Sequence, residues 1–176
     1  MARALEVPAE VLVDGATIQA GVARLAGEIS RDYADKHLHL VGVLKSSTMF
    51  MADLMRALTI PVTVDFISVM PYGQVTASGV VRIRKDLDDP IEGRDVLVVE
   101  AICASGRTLS YLLRNFQLRS PASLKVCALL VKQRDGMPGL RPDYVGCEIP
   151  DVYVVGYGLD QDEQYRNLPH IARLAS

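Results

Sequence analysis

Apolar residues Ile18, Val22, Leu25, Ile29 and Tyr33 recur every three or four positions between Asp14 and Lys36, a helical period that predicts an amphipathic helix after an opening loop. The period then changes. Residues 39–44 (HLVGVL) read as a strand. Residues 48–58 (TMFMADLMRAL) are good helix formers with a hydroxyl-bearing residue at their start. Residues 62–69 (VTVDFISV) are β-branched and aromatic, hence a second strand. Pro71, Gly73 and Gly79 among small polar residues predict a mobile loop over 70–79, with a short returning strand at 80–83 and a charged turn at 85–93. Near-continuous apolar runs at 96–99, 124–131 and 153–157 have the composition of strands covered on both faces, and a helix over about 106–118 separates the first two. Alternation of this kind predicts an α/β fold with a mainly parallel central sheet flanked by helices, and ligands at the carboxyl ends of its strands. No linker, internal repeat or low-complexity segment divides the chain, so a single domain over 1–176 is expected.

Composition narrows the classes. With 176 residues and 49% hydrophobic composition, the chain has enough material for one real core. A net charge of −2 provides no general field for nucleic acid or an anionic membrane, so any phosphate binding has to come from a local site. Cys103, Cys127 and Cys147 are odd in number, widely spaced and set in apolar segments, which suits buried free thiols in a reducing compartment. The first residues, MARALEVPAEVLVDG, carry no long apolar stretch after a basic start, and no window approaches the roughly 20 apolar residues of a membrane span. A cytoplasmic protein is expected.

Residues 100–108, EAICASGRT, place a carboxylate, a turn glycine and several backbone donors between a buried strand and a helix. The free N–H groups and positive dipole end of such a helix start favour a phosphate. The wider stretch RDVLVVEAICASGRTLSYLL resembles the phosphoribosyl-pyrophosphate loop of the type I phosphoribosyltransferases, and most closely their hypoxanthine-guanine branch. Glu100, Gly106 and Thr108 stand where the family has them, Arg107 lies between them, and Ser105 replaces a threonine. Ala101 and Ala104 stand where the family normally carries aspartates.

The resemblance runs from about residue 41 to 168. VGVLKSSTMFMADL is similar to the pyrophosphate-binding segment, with Lys45 present and Ser46 in place of a glycine that would let backbone N–H groups approach a phosphate. VDFISVMPYG resembles the hood strand and the flexible lid loop that closes over the reacting centre; Tyr72 is the lid candidate, with Pro71 beside it. Lys132, in ALLVKQRDG, matches the lysine that reads purine O6, and an ammonium that can only donate favours that carbonyl over the amino group of adenine. Tyr153 matches the aromatic that stacks on the base, and Val154 the neighbour whose backbone meets the ring edge. Asp160 matches a magnesium ligand and Arg166 a pyrophosphate contact. Read without the family, Lys45 and Asp160 are equally surface charges, Tyr72 a residue of a surface turn, and Tyr153 a core aromatic.

The resemblance implies a type I phosphoribosyltransferase fold with a small hood region and a flexible lid loop. It implies purine salvage: a 6-oxopurine, hypoxanthine or guanine, displaces pyrophosphate from phosphoribosyl pyrophosphate with Mg²⁺ and gives the nucleoside monophosphate. It also implies a homo-oligomer, dimer or tetramer. No catalytic residue can be assigned, because the usual base position is Ala104. Two readings follow, a salvage enzyme with weakened catalysis and a non-catalytic nucleotide-binding or regulatory paralogue. Asp65 and Asp135 are candidates for a replacement base.

Overall fold

The structure is a computed structural model and describes residues 10–70, 82–133 and 141–174. Helix α1 (Gly15–Asp32) starts at Asp14, whose carboxylate accepts the Thr17 N–H at 2.8 Å, and buries Ile18, Val22, Leu25 and Ile29. That is the stripe its 3.6-residue period dictates. It follows a short strand, β1 (Glu10–Val13), and leads into β2 (Leu38–Leu44), α2 (Thr48–Ala57) and β3 (Val62–Val69). After β4 (Ile83–Lys85) come β5 (Asp95–Cys103), α3 (Arg107–Gln117), β6 (Ser123–Lys132) and β7 (Tyr144–Ile149), then β8 (Val154–Val155) and β9 (Ile171–Arg173).

Six strands form one sheet in the order β4-β3-β2-β5-β6-β7. All neighbours in it are parallel except β4, which runs antiparallel to β3 at the edge. Successive residues of β5 face opposite sides. Leu97, Val99 and Ala101 join the core beneath α1 and α2, while Val96 and Val98 join the core beneath α3 with Leu109, Leu112 and Phe116. The sequence after β2 goes one way to β3 and later the other way to β5, so the strand order reverses between β2 and β5. In an open α/β sheet, ligands lie at that reversal, beyond the carboxyl ends of the strands. Those ends are Leu44 and Cys103.

Several expectations need correcting. Residues 62–69 are an interior strand of the main sheet, paired with both β2 and β4, and not a hood strand. The returning strand is described at Ile83–Lys85, where Ile83 pairs with Val69; residues 80 and 81 of the expected strand lie outside the described residues. Of the run 153–157 only Val154 and Val155 are strand, and they belong to a separate three-stranded sheet, β1-β9-β8. Positive φ at Gly156, Tyr157 and Gly158 turns the chain out of that strand at once. Cys103 and Cys127 are buried as expected, whereas Cys147 is half-buried. No helix among the described residues is long and apolar enough to cross a membrane.

Candidate active site

The loop between β5 and α3 is held by Gly106, which caps the helix in the left-handed region at φ +69°. A side chain rarely adopts that conformation, so the glycine is what allows the strand to turn directly into α3. Glu100, Cys103, Ala104, Ser105, Gly106 and Thr108 line a pocket of about 110 Å³ there. Ala104 and Ser105 are exposed, and Arg107 is the exposed first residue of the helix.

Glu100 is the only carboxylate among the described residues of the 100–108 stretch. It is buried, and its carboxylate accepts the Ala101 N–H at 3.2 Å. Loss of water raises its pKa to about 8, against the lowering effect of hydrogen bonds from the Ala101 and Ile102 N–H groups and the Ser46 hydroxyl. Near neutral pH this carboxyl is mostly protonated. The bond to Ser46 joins strand β5 to the loop after β2.

In that second loop the Ser47 N–H donates to Val43 O at 3.3 Å, and the Thr48 hydroxyl donates to Lys45 O. Ser46 is not among the described residues with positive φ, so its Cβ imposes no left-handed strain. The close approach comes from the opposite side. Gly158, at φ +97°, lies against Ser46 so tightly that a Cβ built there would sit 2.1 Å from Ser46 O.

From Gly158 the chain supplies a charged network. Arg166 donates through Nη1 to Gly158 O at 2.7 Å, while its Nη2 lies 2.9 Å from Asp160 Oδ1 and 3.1 Å from Glu163 Oε2. Glu163 Oε2 also lies 3.0 Å from Lys45 Nζ. Lys45, Ser46, Glu100, Asp160 and Arg166 thus form one connected cluster at the reversal point of the sheet. Beside it, at the end of β6, Lys132 Nζ lies 3.3 Å from Asp151 and is largely enclosed. Tyr153 is 58% exposed, which excludes the core reading, and its hydroxyl donates to Asp160 O at 2.9 Å. The Val154 side chain is buried, leaving its backbone as the part able to meet a ligand.

Tyr72 and Asp135 lie outside the described residues. Asp65 is not a spare base. Its carboxylate accepts N–H groups of Phe66 at 2.6 Å and Asp88 at 2.7 Å, and its pKa is lowered by these bonds and by Lys85 despite burial. It anchors the 86–89 turn. Asp151, Gly158 and Glu163 were not singled out from the sequence, although the repeated glycines at 156 and 158 were a signal of close backbone approach.

A family model for the phosphoribosyl transferase domain matches residues 9–162. The chain belongs to the type I phosphoribosyltransferase family. Its curated relatives include the hypoxanthine-guanine phosphoribosyltransferase of Mycobacterium avium, 48% identical over 93% of this chain and 84% of that protein. The enzyme of that name from Bacillus subtilis is 45% identical over 94% of this chain and 92% of its own length. Among solved structures, Trypanosoma cruzi hypoxanthine phosphoribosyltransferase in complex with the product IMP superposes with a TM-score of 0.89. It is 40% identical, covering 98% of this chain and 97% of that one. Ala104 lines the pocket between β5 and α3, whereas Ala101 is buried in the core beneath α1 and α2.

Proposed function

We propose that the protein is a purine-salvage phosphoribosyltransferase that converts hypoxanthine or guanine and phosphoribosyl pyrophosphate to the nucleoside monophosphate and pyrophosphate, with catalysis weakened at Ala101 and Ala104. The observation that carries this reading is the convergence of Lys45, Ser46, Glu100, Asp160 and Arg166 at the sheet reversal, with Lys132 and Tyr153 at its rim. In the reaction the purine nitrogen bonds to the anomeric carbon as the bond to pyrophosphate breaks, and the purine gives up a proton. Ser105, Arg107 and Thr108 at the start of α3 suit the ribose phosphate. Glu100 suits a ribose hydroxyl. Lys132 donates to purine O6, Tyr153 stacks on the ring, and Lys45 and Arg166 hold the departing pyrophosphate. Tyr72 is proposed as the lid residue.

Asp160 is half-buried, and among the described residues no group of three or more ligating side chains surrounds it. Its carboxylate is the oxygen donor Mg²⁺ commonly takes, one or two per ion, while substrate phosphates and water complete the shell. Asp160 would hold the ion, and Mg²⁺ bound there would neutralise charge on the departing pyrophosphate. The proton has no obvious acceptor, because Ala104 lines the pocket where the family resemblance implies the base. This favours one second reading, a nucleotide-binding paralogue without turnover.

The test is Mg²⁺-dependent pyrophosphate release with hypoxanthine, guanine, xanthine and adenine, together with calorimetric binding of guanosine monophosphate. Turnover with 6-oxopurines and not adenine is the expected result. Binding without turnover would establish the paralogue, and neither would refute both readings.

A further inference from the structure

We propose that Glu163 is a built-in competitor of pyrophosphate, occupying with its own carboxylate the two cations that the leaving group needs. The inference rests on the proposed assignment of Lys45 and Arg166 to pyrophosphate. A single oxygen, Glu163 Oε2, bridges them at 3.0 Å from Lys45 Nζ and 3.1 Å from Arg166 Nη2. These cations come from two distant parts of the chain, and the bridging carboxylate spans them as a phosphate oxygen would. Lys45 and Glu163 are both more than three-fifths exposed, so an anion from solution reaches Lys45 directly and meets Arg166, 22% exposed, where the Glu163 carboxylate now sits.

The backbone supports this placement independently. Asp162, Glu163 and Tyr165 all lie in the left-handed region, at φ +53°, +64° and +72°, which non-glycine residues adopt only when their surroundings impose it. Asp160 Oδ2 accepts the Glu163 N–H at 2.9 Å and fixes the turn. Arg166 Nη1 stays on Gly158 O and Nη2 on Asp160, so the guanidinium remains in place when Glu163 leaves. Pyrophosphate affinity is then a difference between two anions, and the returning carboxylate helps expel the product.

Calorimetric titration of inorganic pyrophosphate with magnesium chloride, on the wild type, Glu163→Gln and Glu163→Asp, tests this. Exposed ion pairs are weak, so removing the competitor is expected to tighten binding about 3- to 10-fold. Glu163→Asp keeps the charge and is expected to remain within about twofold of wild type. Wild-type binding with equal or weaker binding by Glu163→Gln would overturn the competitor role alone. Failure of all three proteins to bind pyrophosphate would overturn it together with the assignment of the phosphate site.

Discussion

Replacing Ala104 by aspartate is the perturbation that probes the site most directly. The Ala104 side chain is exposed at the mouth of the 110 Å³ pocket, so a carboxylate there pushes nothing aside. It would stand two residues before the left-handed cap of α3, where the helix dipole stabilises an anion by about 0.3–1 kcal/mol. Glu100, with its pKa near 8, is mostly neutral at pH 7 and does not repel it. A positioned base is worth about 10²- to 10⁴-fold in rate, or ~3–5 kcal/mol of barrier. Ala104→Asp is therefore expected to raise kcat with hypoxanthine at least ~100-fold while leaving Tm nearly unchanged. Ala101→Asp is the contrasting variant. That side chain is 1% exposed and packs in the core beneath α1 and α2 with Leu97 and Val99. An unpaired carboxylate there should remove ~3 kcal/mol, a fall in Tm of about 6–12 °C. Less than a threefold rise in kcat for Ala104→Asp, with guanosine monophosphate still bound, would refute the assignment of position 104 to the base.

Four further outcomes are expected. Glu100 has a folded pKa near 8, above its ordinary 4.5, so the folded state holds an extra proton between those values. Its contribution is full below pH 4.5 and is lost as pH rises toward 8, by at most ~1.4 kcal/mol per pH unit, whereas Glu100→Gln should show a flatter Tm profile from pH 5 to 8. Gly158→Ala would bring a methyl against Ser46 O at a positive φ and should cost at least ~3 kcal/mol by thermal denaturation. Gly93→Ala, at φ +69° with open space around it, should cost only ~1–2 kcal/mol. Lys132→Met removes a charged donor worth ~1.5–3 kcal/mol, so kcat/KM for hypoxanthine should fall ~10- to 150-fold; an unchanged value would displace Lys132 from purine recognition.

The parallel strands and the α3 junction were legible because their information is local. The apolar run before Glu100 and the glycine at 106 are enough to specify a buried strand turning into a helix. β1 and β9 were not legible, since four residues near one end pair with three near the other, Glu10 opposite Arg173, and neither stretch has a period long enough to register. β7 was hidden by Gly146 in its centre. That glycine is required by packing, because a Cβ there would lie 2.5 Å from Leu129 O on the neighbouring strand. The site was half legible for the same reason. Lys45, Glu100 and Asp160 follow from motifs, whereas Asp151 and Glu163 look like solvated loop charges until the fold brings Lys132 and Lys45 to them. Ser46 shows the limit of reading one segment alone. Its backbone packs against Gly158, a glycine from a segment more than a hundred residues away.

Electrostatics links the two alanines to what the site does best. Three carboxylates beside the site are already paired, Asp160 with Arg166, Glu163 with Lys45 and Arg166, and Asp151 with Lys132. Glu100 carries little charge at pH 7. An aspartate at 104 would add negative charge beside the start of α3, whereas position 101 is buried in the core; alanine at 104 leaves the positive end of that helix unopposed. If such a field holds the phosphorylated substrate and product alike, as proposed, that binding is equal in ground and transition states and lowers KM without raising kcat. On the proposed reading, alanine at 104 removes the proton acceptor while sparing a bound phosphate a negative neighbour. Ala104→Asp should reverse both at once, raising kcat as it weakens guanosine monophosphate severalfold. A variant that gained rate and affinity together would show that the carboxylate orders the loop and does not take the proton.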